Sequence, residues 1–149
     1  MSSCSLPVAA SLAFVTLAGS AAPAPPKDGT WQGVLRCSEL RRKEGAVYPA
    51  GFTHRIAFSV NGGKISSTQV LVGPAGKETT EWAGNVDSKT VSLVGTGTRT
   101  PSGVRWEFRL SGFAVQDATA FALTGHTYSA GALTRDCSME LAPAKVEEP

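Results

Sequence analysis

The sequence predicts an all-β fold, an eight-stranded antiparallel up-and-down barrel closed by a disulfide between its first and last strands. Three observations carry this. From Thr30 onward, apolar and polar residues alternate in short runs separated by Gly, Pro, Asn, Asp and Ser, with no stripe at helical spacing. Trp31, Gly33, Leu35 and Cys37 share one face of the first run, and Leu133, Arg135, Cys137, Met139 and Leu141 share one face of the last. Both cysteines therefore point inward, and a bond between them makes the first and last strands neighbours.

Taken in order, the first strand runs from Thr30 to Ser38, and a long connection from Glu39 to Gly51 carries Arg41-Arg42-Lys43. In the second, Ile56, Phe58 and Val60 face one way and Arg55, Ala57 and Ser59 the other, before Asn61-Gly62-Gly63 supplies a tight hairpin. The third spans Lys64 to Val72 and ends at Gly73-Pro74-Ala75-Gly76; the fourth runs from Lys77 to Val86 with Trp82 inward and turns at Asp87-Ser88. The fifth is Lys89 to Gly97, closed by Thr98 to Gly103. The sixth, Val104 to Phe113, alternates cleanly, with Val104, Trp106, Phe108 and Leu110 on one face. Ala114 to Ala118 leads to the seventh, Thr119 to Tyr128, and Ser129-Ala130-Gly131 to the eighth, Leu133 to Leu141.

A glycine follows two residues after a large apolar side chain in Trp31-x-Gly33, Trp82-x-Gly84, Leu93-x-Gly95, Leu110-x-Gly112 and Leu123-x-Gly125. Glycine weakens an ordinary strand, and its repeated use on one face fits the sharp coiling that closes a narrow barrel. An immunoglobulin-like sandwich bridges two interior strands instead, so a bond from first strand to last favours closure. Alternate connections of such a barrel collect at one end. The even-numbered ones are mostly shorter, which predicts a closed end and a looser mouth, with the loop bearing Tyr48 and ending near Phe52 placed as a lid.

The leader fixes the address. Leu6 to Leu17 is an apolar run of 12 residues followed by Ala18-Gly19-Ser20-Ala21 and Pro23, too short for a membrane span and suited to a secretory signal cut near Ala21. The division is residues 1–21 signal peptide, 22–29 flexible linker, 30–142 barrel and 143–149 loose acidic tail. Cys4 leaves with the signal, so Cys37 and Cys137 remain as an even pair in a secreted, periplasmic or extracellular protein, where such a pair reads as a disulfide. A net charge of +2 on 149 residues argues against nucleic acid as partner, and nothing calls for stable membrane insertion.

Gly29-Thr30-Trp31, with Arg135 on the last strand, resembles the pattern shared by lipocalins, fatty-acid-binding proteins and avidins, a calycin-like group of small barrels. The resemblance implies that Trp31 plugs the barrel floor and that Arg135 packs across it as a cation–π partner. The chain is also similar to periplasmic barrels that inhibit secreted metalloproteases, in its early tryptophan, single disulfide and flexible segment Ala22 to Gly29.

Catalytic chemistry finds no support. His54 and His126 are the only histidines and neither stands at metal-ligand spacing from a Cys or carboxylate. Gly-x-Ser-x-Gly does not occur. Glu78, Glu81, Glu107 and Glu140 read as outward-facing or strand-end charges paired with lysines and arginines across strands. The expected protein is non-enzymatic, without metal or cofactor. It binds a small apolar ligand at the mouth through Tyr48, Phe58, Trp82, Trp106 and Tyr128. The alternative is a filled barrel acting on an exported protein, as a protease inhibitor or envelope component.

Overall fold

A computed structural model describes residues 26–40, 50–115 and 119–145. The predicted leader, the predicted lid with Tyr48 and the last residues of the tail lie outside these. Eight strands form one closed antiparallel barrel in sequence order: β1 (Gly29–Cys37), β2 (Phe52–Asn61), β3 (Lys64–Gly73), β4 (Gly76–Val86), β5 (Thr90–Thr100), β6 (Arg105–Ala114), β7 (Phe121–Ser129) and β8 (Ala132–Pro143). Each predicted strand is present. The main difference is β5, which continues past Gly97 through Thr98–Thr100 because Lys77, Glu78 and Thr79 of β4 pair with those residues.

Closure is made by β1 against β8, in register from Trp31↔Pro143 to Cys37↔Cys137, and the Cys37–Cys137 disulfide locks the last pair. The turns follow their residues. Gly62 and Gly63 both have positive φ between the paired Asn61 and Lys64, the backbone that a two-residue hairpin needs. Asp87 holds the β4–β5 turn by accepting from the amides of Lys89 and Thr90, both at 2.7 Å.

One seam is incomplete. β2 pairs with β3 only at Ser59↔Ser66, Val60↔Ile65 and Asn61↔Lys64. Beyond it the Ser67 hydroxyl donates to the Ala57 carbonyl at 2.5 Å, and then the ladder stops, while β1–β2 and β3–β4 stay paired to the strand ends. Phe52–Ala57 and Thr68–Gly73 therefore face each other across a gap on the mouth half of the barrel.

Alternation places one apolar face inside every strand. The half of the barrel away from Cys37 is filled by Trp31, Val60, Ile65, Val86, Val91, Phe121, Leu123 and Leu141, all buried. Above them lies an aromatic layer, with Phe58 and Trp82 at 6.0 Å edge to face and Trp82 and Phe108 stacked at 4.9 Å. The glycine pairs make this layer possible. Gly95 stands opposite Trp82, and the indole occupies the space that a Cβ would need.

Candidate functional site

Above the aromatic layer the barrel is hollow. A cavity of about 560 Å³ opens at the end where β1–β2, β3–β4, β5–β6 and β7–β8 connect, the mouth predicted from the odd-numbered connections. Its inner end is formed by Leu35, Thr80, Phe108 and Thr127, all buried. Its wall is Phe52 and His54 from β2, Gln69 and Leu71 from β3, Glu78 from β4, Arg99 from β5 and Trp106 from β6, with Leu40, Ala50 and Val104 at the rim. Thr134 and Arg135 of β8 complete it. The walls at β2 and β3 flank the open seam, so the cavity meets that gap as well as the mouth.

Two arginines enter the cavity and are held differently. Arg99 directs both Nε and Nη2 to Oε1 of Glu78, its partner across the β4–β5 ladder, with Nε at 2.8 Å. Arg135 has no carboxylate partner among the described residues. Its Nη1 donates to the Ser38 carbonyl and, at 3.1 Å, to the Ala50 carbonyl, joining the two stems of the β1–β2 connection. The guanidinium lies 5.2 Å over the Phe52 ring, and burial lowers its pKa from the ordinary arginine value.

Several predicted site residues move. Trp106 lines the cavity. Phe58 and Trp82 do not, being 1% and 2% exposed in the filled layer beneath. Tyr128 faces outward, because Phe121, Leu123 and Thr127 take the inward positions of β7; Arg109 stacks on it at 5.1 Å. His126 lies on the same outer surface, with its Nδ1 2.9 Å from Asp136, whereas His54 lines the mouth and packs against Phe52 at 4.8 Å.

The contact between Trp31 and Arg135 is not made. Antiparallel pairing sets Trp31 against Pro143 and carries Arg135 past Cys137 to the mouth, more than about 20 Å of strand away. Trp31 is nevertheless buried at the closed end, against Phe121 at 5.9 Å, with its Nε1 donating to the Lys27 carbonyl at 2.9 Å. Glu78, near the start of β4, pairs across strands with Arg99 and does so inside the mouth, whereas Glu107 pairs with Arg109 of its own strand.

Sequence reasoning missed Phe52 and Leu71 as ligand wall, and Thr80, Glu78 and Arg99 as its polar part. The signal was the alternation itself. Residues 78 and 80 share the inward parity of Trp82, and residues 97 and 99 that of Leu93. No family model, no curated protein and no solved structure matches the chain.

Proposed function

We propose that this protein is an exported, non-enzymatic carrier that holds a small, largely apolar ligand in the open half of its barrel. The observation that carries the reading is the division of the interior. One half is filled by close-packed aromatic and aliphatic side chains, and the other is a cavity of about 560 Å³, within the range of small-molecule sites. Phe52, Leu71, Trp106 and Phe108 supply apolar wall, and a few fixed polar groups stand among them, the composition expected of a ligand pocket. The Cys37–Cys137 disulfide supports an oxidising compartment and hence export.

The test uses a neutral apolar fluorophore, N-phenyl-1-naphthylamine, titrated into the protein. Saturable binding with energy transfer from tryptophan is expected. Leu71→Trp, which fills the cavity from its wall, abolishes it, and Val72→Trp, on the outer face of the same strand, leaves it intact. Equal binding by both variants, or none by the wild type, refutes the carrier reading.

A further inference from the structure

The ligand class follows from how Arg135 is held, on the reading of the cavity as a binding site. We infer that the cavity takes a small apolar monocarboxylic acid, with its carboxylate on the Nε/Nη2 edge of Arg135 and its apolar body against Leu71, Trp106 and Phe108.

A guanidinium carries five N–H donors. Both donors of Nη1 are spent on the Ser38 and Ala50 carbonyls, and one face of the plane lies on Phe52. The edge formed by Nε and Nη2 has no acceptor among the described residues. That edge presents two parallel N–H groups, the fork that matches the two oxygens of a carboxylate.

The second arginine of the cavity has the same edge occupied. Arg99 turns Nε and Nη2 to the Glu78 carboxylate, both reaching Oε1. One arginine has its carboxylate from the chain, and the other has none among the described residues. The described arginine and carboxylate side chains of the wall sum to one positive charge, since Glu78 cancels Arg99 and leaves Arg135. A monoanion neutralises that charge in a partly desolvated site where an uncompensated cation is costly. The fixing of Nη1 and the ring stack hold the guanidinium in place before any ligand arrives, so little side-chain freedom is left to lose on binding.

The experiment compares three probes that share one chain and differ only in head group: dodecanoate, dodecanol and dodecyltrimethylammonium. Each displaces N-phenyl-1-naphthylamine from the full mature chain below its micelle concentration. Dodecanoate is expected to bind roughly tenfold or more tightly than dodecanol, and the ammonium most weakly. Arg135→Gln brings the acid to within about twofold of the alcohol; Arg135→Lys, which retains charge but not the fork, restores only part of the preference.

Equal affinity of acid and alcohol in the wild type overturns the inference without any variant, while retention of the neutral fluorophore leaves the carrier reading standing. Survival of the full preference in Arg135→Gln also overturns it. Failure of the fluorophore and all three probes to bind removes the carrier reading itself.

Discussion

Gly95 of β5 stands directly opposite Trp82 of β4, and a Cβ built on Gly95 would lie 2.7 Å from the indole ring. Trp82 cannot retreat, because Phe58 and Phe108 pack on it. Gly95→Ala is therefore expected to destabilise by about 1–3 kcal/mol, the usual range for forcing extra volume into a packed core. Gly97→Ala meets Trp106 in the same way, but that ring borders the cavity and can move into it, so the smaller cost is expected there. Urea denaturation of both variants measures the difference; a larger loss at Gly97 would show that Trp106 is the more rigid ring.

Cys37 and Cys137 are register partners, and their bond encloses a loop with a sequence separation of 100. Cross-linking a loop of that length removes denatured-state freedom worth about 4–5 kcal/mol in the chain-entropy account. Reduction is expected to lower the Tm by more than about 10 °C while leaving the far-ultraviolet β signature in place below the transition. An unchanged Tm would mean that the β1–β8 ladder alone sets the stability.

Trp31 and Arg135 serve opposite ends of the barrel, which double-mutant cycles can read. Trp31→Ala should cost about 3–5 kcal/mol, since the ring is 2% exposed and packed on Phe121. Its coupling to Arg135→Gln should be under about 0.3 kcal/mol, as for any pair this far apart. Phe52→Leu with Arg135→Gln should instead couple by about 0.5–2 kcal/mol through the cation–π stack. Coupling of Trp31 with Arg135 would place the arginine at the wrong end here.

The β4–β5 turn has a defined pH response. The backbone amide of Lys89, then that of Thr90, hold the Asp87 carboxyl below its ordinary pKa. A carboxylate depressed in the folded state contributes fully above its unfolded pKa and loses that contribution as pH falls through the folded one. The turn should therefore loosen only in strong acid, below about pH 4. The Thr90 amide resonance, followed against pH, should report this midpoint, and Asp87→Asn should flatten the response. A midpoint above the ordinary aspartate value would contradict the hydrogen bonds.

Strand count, closure and the disulfide were legible because period-two alternation and the inward parity of Cys37 and Cys137 are local properties of the chain. The site was legible only where the same parity sufficed, as at Trp106. Tyr128 has the parity opposite to Phe121 and Leu123, so alternation alone turns it outward despite its aromatic character. Phe58 and Trp82 have the right parity, but depth along the barrel decides whether an inward ring fills the core or lines the cavity, and depth depends on the register of all eight strands. The Gly29-Thr30-Trp31 resemblance pairs Arg135 with Trp31, but the two lie at opposite ends. The true partners of the arginine, Ser38, Ala50 and Phe52, follow from antiparallel pairing at Cys37↔Cys137.

The open seam between β2 and β3 gives the last prediction. Along Phe52–Ala57 and Thr68–Val72, the amides that turn away from β1 and β4 have no ladder partner, whereas those turned toward β1 and β4 do. Exposed edges of this kind exchange with solvent and invite pairing with another strand. Hydrogen exchange should therefore alternate along both segments, fast at the seam-facing amides and slow at their neighbours, while Ala83–Asn85 and Ser92–Val94 are protected on both sides. Binding of a ligand in the cavity behind the gap should slow the fast set, because Phe52, His54, Gln69 and Leu71 line both. Uniform protection across β2 and β3 in the free protein would show the ladder complete in solution and confine access to the mouth.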